Sequence, residues 1–172
     1  MSVPLQHKSY RAVGFPLFVV VDPRAIGDGG PTEYGAVVSS SFRDDAVDRS
    51  PYPDDVRRVR RIPNIDDAIE AYNDGVLDAL DAISVTQHGG PFQQLVWAKM
   101  RKIPPGSVLT YAQLAAKAGK KNAYRAVGTT CATNNAAPFV PCHRVIAANG
   151  LGGYGYGLDL KIALLEHEGY LL

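Results

Sequence analysis

TYAQLAAKAGKKNAYRAVGTTCATNNAAPFVPCHRV, residues 110–145, decides how this 172-residue chain is read. Its opening Thr110-Tyr111-Ala112-Gln113 is a capping box, in which the threonine caps a helix and the glutamine reaches back to it. The helix runs through Leu114 to Ala118, and Gly119 ends it in the C′ position. After Lys120-Lys121 a second helix is expected from about Asn122 to Cys131, with Tyr124 and Arg125 near its start. Two short helices across a glycine-containing turn make a helix-turn-helix candidate, although such hairpins also occur as plain structure. The stretch closes on Pro141-Cys142-His143-Arg144-Val145. A thiol is a strong nucleophile only as thiolate, so a histidine beside it attracts notice. Neighbours on a regular strand point to opposite faces. A relay between Cys142 and His143 therefore needs irregular backbone or a bridging water, plus a third group to hold the imidazole. Taken alone, the pair reads first as a buried cysteine beside a surface histidine.

Outward from this stretch the signals stay dense on both sides. Val145 to Ala148 reads as a strand and Asn149-Gly150 as a turn. Leu151-Gly152-Gly153-Tyr154-Gly155-Tyr156-Gly157 is a glycine-rich loop carrying two aromatic rings. Gly150, Gly152 and Gly155 satisfy G-x-G-x-x-G, but one helix and no second strand follow before Leu172, so the dinucleotide reading fails. A wall that holds Tyr154 against a flat ligand is the better reading. The last helix, from about Leu158 to His167, delivers Glu168. On the other side, Pro91 opens a helix over Phe92 to Arg101, with Phe92, Leu95, Val96 and Met100 on one face. Ile103-Pro104-Pro105-Gly106 then turns the chain.

Residues 1–90 say less. Leu17 to Val21 is a buried strand stopped by Asp22-Pro23, Gly27 to Pro31 a loop or hairpin tip, and Tyr34 to Phe42 a returning strand. Arg43 to Arg61 reads as an exposed loop. Its Arg57-Arg58-Val59-Arg60-Arg61 cluster reads as a solvated face beside Asp54 and Asp55. Ile65 to Leu80 has helical spacing, and Gly89-Gly90 marks a boundary. The expected organisation is α/β in the α+β sense. A small sheet-and-helix domain over residues 1–90 precedes a mainly helical domain over residues 91–172.

Charge separates these halves sharply. Residues 1–90 carry nine Lys/Arg against fourteen Asp/Glu, and residues 91–172 carry nine against three, with no acidic residue from Pro91 to Leu158. Such a basic half points to an anionic partner, nucleic acid first. Cys131 and Cys142 are too few for a disulfide framework and suit a reduced, intracellular setting. The histidines His7, His88, His143 and His167 lack zinc spacing, so no metal is expected. No run approaches membrane-spanning length, and Met1 to Tyr10 lacks a signal peptide's apolar core.

Residues 91–170 resemble the O6-alkylguanine-DNA alkyltransferases, also called methylated-DNA–protein-cysteine methyltransferases. The resemblance rests on Pro91-Phe92-Gln93-Gln94-Leu95-Val96-Trp97, Ile103-Pro104-Pro105-Gly106, Tyr111 to Ala115, Arg125-Ala126-Val127-Gly128 and Pro141 to Ile146. Gly153-Tyr154 and the set Lys161, Leu164, Leu165, His167, Glu168 and Gly169 complete it. The family repairs DNA by direct reversal, passing an alkyl group from guanine O6 irreversibly to its own cysteine, without a cofactor. By resemblance, Cys142 is that nucleophile, His143 takes the thiol proton through a water, and Glu168 orients the histidine. Asn134 bonds near the active-site turn, and Tyr111 helps rotate the nucleotide and protonates the leaving guanine. Arg125 is the finger that fills the space of the flipped base. Ala112, Lys120, Lys121, Asn122, Tyr124 and Ala148 fall in the DNA-binding surface, which the family sets in the minor groove of duplex DNA. Val145, Tyr154, Gly155 and Tyr156 fall in the base pocket.

The resemblance also implies a monomer, in the nucleus of a eukaryote or the cytoplasm of a bacterium or archaeon. Cooperative binding on DNA and O4-alkylthymine as a second substrate are family possibilities. Zinc-bearing members hold metal through N-terminal cysteines, and none precedes Cys131. Lys120-Lys121-Asn122 departs from a common pattern at the start of the recognition helix. Tyr156 stands where other members carry glycine or a bulky aromatic, and is expected to narrow the pocket against O6-benzyl adducts. Two alternatives compete: a lesion-binding relative without transfer, which would lack the cysteine, and a helix-turn-helix regulator or thiol hydrolase.

Overall fold

The computed structural model describes residues 3–172, which form two compact units. One holds the chain up to Gln87 together with Asn135–Phe139, and the other holds His88–Asn134 and Val140–Leu172. The expected boundary at Gly89-Gly90 thus falls just past the observed one. Asn135–Phe139 belongs with the first unit rather than with the domain over residues 91–172.

The first unit is built on a four-stranded sheet in the order β3 (Ala36–Ser41), β2 (Phe15–Asp22), β1 (Leu5–Ala12), β4 (Val56–Arg58). Strands β1 (Leu5–Ala12) and β2 (Phe15–Asp22) form an antiparallel hairpin around Val13-Gly14. Both turn residues have positive φ, 47° and 85°, as the two-residue primed turn demands. Val13 tolerates this because Asn73 accepts from its N–H at 3.0 Å and donates to Arg11 O at 2.9 Å. Strand β3 (Ala36–Ser41) is wholly buried, and Asn135–Phe139 covers it through Ser40 N to Asn135 O (2.9 Å) and Ser40 Oγ to Ala137 O (2.7 Å). Helix α1 (Pro63–Asn73) buries Ile65, Ala68, Ile69 and Tyr72. The sequence reading carried this helix to Leu80. It ends earlier because Gly75 takes a left-handed conformation (φ 99°) just after Asn73-Asp74, leaving Val76 exposed.

The segment read as an exposed loop over Arg43–Arg61 is more ordered than its composition suggests. Ala46 is buried against Leu5, Val20 and Val38, and Val56–Arg58 forms β4, parallel to β1. Strand β1 itself went unread, because His7, Lys8, Tyr10 and Arg11 interrupt its apolar pattern on the half-solvated face.

The second unit is helical around one small parallel pair. Helix α2 (Pro91–Met100) has Gln93 Oε1 accepting from Gly90 N at 2.9 Å, and it buries Val96, Trp97 and Met100. The expected capping box is present: Thr110 Oγ1 accepts from Gln113 N (3.1 Å), and Gln113 Oε1 accepts from Thr110 N (2.9 Å). It starts α3 (Tyr111–Lys117), which packs against α4 (Tyr124–Ala132) as a helix pair. Strands β5 (Leu109–Thr110) and β6 (Val145–Ile146) pair in parallel. The expected strand to Ala148 stops at Ile146, since Ala147 already bridges to Gly150 in the next turn. Helix α5 (Leu158–His167) buries Leu160, Lys161, Leu164 and Leu165. No helix among the described residues is long and apolar enough to cross a membrane.

Candidate active site

Pro141 leads into a single 3-10 turn, Cys142–Arg144, and all three of its residues are buried. A 3-10 turn rotates successive side chains by about 120° instead of reversing them. The irregular backbone required by the Cys142–His143 adjacency is therefore present.

Glu168 sits at the C-terminal cap of α5 and meets this turn from the other side. Its Oε1 lies 2.8 Å from His143 Nε2 and 2.9 Å from Arg144 Nη2, and its Oε2 accepts from Arg144 Nε at 2.9 Å. Arg144 also donates from Nη1 to Ile103 O at 2.8 Å. Burial alone would push the Glu168 carboxyl up. The hydrogen bonds and charges of His143 and Arg144 outweigh it and hold the group down at about 2. Glu168 is thus a carboxylate and acts only as an acceptor. His143 Nε2 therefore donates to Glu168, and whenever the ring is neutral Nδ1 is its basic nitrogen.

Burial raises the Cys142 thiol above its ordinary value, and the groups around it act in the opposite sense. They are hydrogen bonds from Asn134 and Tyr154 and the positive field of Lys161. Burial prevails, so the resting sulfur is a thiol and its ionisation has to accompany reaction. Asn134 follows the end of α4 and donates from Nδ2 to Val140 O at 2.8 Å, which fixes the approach to Pro141.

Lys161 is fully buried and donates to three carbonyls, Val145 O (2.8 Å), Leu151 O (2.7 Å) and Gly153 O (3.0 Å). One ammonium thereby ties the strand after the cysteine turn to the glycine loop. The Tyr154 ring lies 6.0 Å from the same Nζ and meets Tyr156 edge-on at 5.6 Å. Tyr111, first residue of α3, is half-buried, and its phenol is raised first by burial and then by Cys131 and Cys142. A Cβ on Gly152 would stand 3.1 Å from the Tyr111 hydroxyl, so the loop passes close over that ring. Gly152 also has φ 71°, a conformation that glycine adopts freely.

The structure therefore gathers Cys142, His143, Glu168, Asn134 and Val145 in one buried cluster, with the half-buried Tyr154, Tyr111 and Tyr156 at its border and Gly155 exposed beside them. It sets the other expected residues outside. Ala112, Lys120, Lys121, Asn122, Tyr124, Arg125 and Ala148 are all exposed, on α3, α4, the turn between them and the turn after β6. The Arg125 guanidinium lies 6.0 Å from the Tyr124 ring, and Lys120 Nζ lies 4.9 Å from the ring of Phe92. Among the described residues no group of three His, Cys, Asp or Glu could hold a metal ion.

Two residues of the cluster were not singled out from sequence, Arg144 and Lys161. Lys161 did leave a trace. It shares the spacing of Leu165 and Glu168 on the inner face of α5, where a lysine is buried only if fully bonded. Arg144 carried no comparable signal beyond its place after His143.

Known proteins are similar to this chain in sequence and fold. The family model described as 6-O-methylguanine DNA methyltransferase, DNA binding domain, matches residues 91–170. A methylated-DNA–protein-cysteine methyltransferase of Salmonella typhimurium is 46% identical over 109 residues, covering 63% of this chain and 64% of that protein. The chain thus spans just under two thirds of that relative's length. A protein of Acanthamoeba polyphaga mimivirus, named "Probable methylated-DNA--protein-cysteine methyltransferase", is 37% identical over 114 residues, covering 66% of this chain and 76% of its own. Among solved structures, the Mycobacterium tuberculosis OGT in complex with DNA superposes with a TM-score of 0.73 at 26% identity, over 95% of this chain and 92% of that one. The chain belongs to the methylated-DNA–protein-cysteine methyltransferase family.

Proposed function

We propose that the protein repairs DNA by direct reversal, moving an alkyl group from guanine O6 to Cys142 once and irreversibly. The observation that carries this reading is the hydrogen-bonded chain Arg144–Glu168–His143 beside a buried thiol. Glu168 holds the Nε2–H tautomer, Nδ1 takes the thiol proton through a water, and the thiolate attacks the alkyl carbon. The S–C bond forms as the C–O6 bond breaks, and the electron pair stays on guanine. Tyr111 supplies the proton that the departing base takes up. No group in the cluster can remove an alkyl from sulfur, so Cys142 ends as a thioether and the protein acts once.

A thiol this deeply set cannot reach O6 in a stacked duplex, so the nucleotide must be turned out. Arg125, exposed near the start of α4, enters the duplex in its place. Val145, Tyr154, Gly155 and Tyr156 hold the flipped base. Lys120, Lys121, Asn122, Tyr124, Ala112 and Ala148 contact the backbone, with the helix pair in the minor groove and the protein acting as a monomer. A DNA substrate places it in the compartment that holds the genome.

The test is an intact-mass measurement after incubation with duplex DNA containing O6-methylguanine. One added methyl, mapped to Cys142 and absent in Cys142→Ser, is expected, with activity then exhausted. Unmodified protein or continued turnover would overturn the reading. Arg125→Ala is expected to slow repair of duplex DNA more than reaction with free O6-benzylguanine, and equal losses would remove its role as a finger.

A further inference from the structure

A cavity lies in the helical unit and shares no residue with the cysteine cluster. It encloses about 330 Å³ between the end of α2, the Pro104 turn and the end of α3. Three lysines line it, Lys99, Lys102 and Lys117, together with the Ser107 hydroxyl and an apolar floor that includes Ile103 and Leu109. No carboxylate lines it, consistent with the absence of any acidic residue from Pro91 to Leu158.

Lysines near helix C-termini often serve only to balance the helix dipole or bond the last carbonyls. Here six of the eight last carbonyls of α2 and α3 accept from backbone N–H groups. Trp97 O accepts from Arg101 N (3.0 Å) and Met100 O from Ile103 N (3.1 Å). Ala116 O accepts from Gly119 N (3.0 Å) and Ala115 O from Lys120 N (3.0 Å). Among the described residues none of the three ammonium groups has a hydrogen bond or an ion pair. Three unpartnered lysines and a serine line one concave space, and these are donor types of a phosphate site. The volume falls near the lower end of ligand pockets, roughly 300–1,000 Å³. The apolar floor makes room for more than an inorganic ion. The pocket takes Lys117 from the end of α3 but is removed from Lys120 in the turn that follows. Lys120 sits over Phe92 at the start of α2, whereas Lys99 is about 10 Å further along that helix.

We propose that this pocket is a separate phosphate-binding subsite, taking a nucleotide unit by its phosphate, either free or within a DNA backbone. Lys99, Lys102 and Lys117 bind the phosphate oxygens, Ser107 donates a further hydrogen bond, and Ile103 and Leu109 meet the sugar or base. The backbone source rests on the DNA-binding reading above, and the free source does not.

The experiment compares the full chain with Lys99→Gln/Lys102→Gln/Lys117→Gln, with the triple arginine variant, and with Ser107→Asp. Each is titrated with inorganic phosphate and dGMP by calorimetry and with undamaged duplex DNA over a salt series. Benzyl transfer to Cys142 from free O6-benzylguanine is the control and should not change. Binding of dGMP by the wild type, weakened about tenfold or more in the glutamine and aspartate variants and kept in the arginine variant, supports the free source. A fall of about 0.9 in the magnitude of the slope of log K against log salt, the value for one phosphate, supports the backbone source. No binding of phosphate or dGMP together with an unchanged DNA slope overturns the subsite. A wild type that binds dGMP but no DNA would instead sink the DNA reading and leave the pocket standing.

Discussion

The two units of this chain bury polar groups on opposite principles. In the first, the centre is Leu5, Val20, Val38 and Ala46, and its buried polar side chains are neutral hydroxyls such as Ser39, Ser40 and Ser41. Its principal charged network, Lys8 and Tyr10 on Asp66 at 2.7 Å each, stays partly open to water. The second unit buries Arg144, His143, Glu168 and Lys161 almost completely. Burying ions carries a desolvation cost that pairing only partly returns, so apolar residues of similar volume would serve stability as well or better. On the proposed mechanism, the charges are concentrated where an imidazole is oriented and a thiol ionised. The first unit has no such demand and is built as an ordinary sheet with a helix on one face.

The largest effect is expected from breaking the buried cluster on one side only. Arg144→Met leaves Glu168 buried without its two hydrogen bonds from Arg144 and should destabilise the protein by about 3–5 kcal/mol in denaturant unfolding. The pH dependence gives a second readout. The Glu168 carboxyl is held down at about 2, so its contribution is fully present above the ordinary glutamate value of 4.5 and drains away as pH falls towards 2. Arg144→Met should flatten that acid limb. The double variant Arg144→Met/Glu168→Leu should regain most of the lost stability but no methyl transfer, because His143 then lacks its acceptor. A single variant no weaker than a surface-pair change would erase the contrast between the units.

A smaller effect is expected at Lys161. Lys161→Met leaves the carbonyls of Val145, Leu151 and Gly153 without their ammonium donor and should cost about 1–3 kcal/mol. The lysine field lowers the Cys142 thiol, so its removal should shift the pH profile of Cys142 alkylation by a small thiol reagent to higher pH. A loss of stability with an unmoved profile would reduce Lys161 to a staple of the glycine loop.

The difference between the units also governs what could be read before any coordinates. The helix pair, its capping box and α5 were legible because each has a local cause, Thr110 with Gln113, Gly119 and an apolar face. The cysteine site was legible as a set of residues through its motifs. Its ionic wiring was not, since Arg144 reaches Glu168 across 24 positions and Ile103 across 41. In the first unit, β1 and β4 have sequences too polar to announce strands, and only pairing with β2 and with each other makes them so. The return of Asn135–Phe139 to the first unit depends on hydrogen bonds to Gln87 and Ser40, contacts that no pattern in the chain marks.

The smallest effect is expected in the first unit, at Asp66. Burial would raise its carboxyl, but hydrogen bonds from Lys8 and Tyr10 dominate and lower it. The ion pair remains about one quarter exposed at Lys8 and one fifth at Asp66, so water and salt screen it. Such pairs contribute at most about 1 kcal/mol. Asp66→Asn keeps the shape and an acceptor for Tyr10, and it should change stability at neutral pH by less than about 1 kcal/mol. A depressed carboxyl stabilises above its unfolded value and loses that contribution as pH falls through the folded one. The wild type and Asp66→Asn should therefore converge in acid, and salt should narrow their gap at neutral pH. Methyl transfer to Cys142 should be the same in both. A loss at Asp66 as large as that at Arg144, insensitive to salt, would mean that the first unit also depends on a buried charge, and the division between the two units would fail.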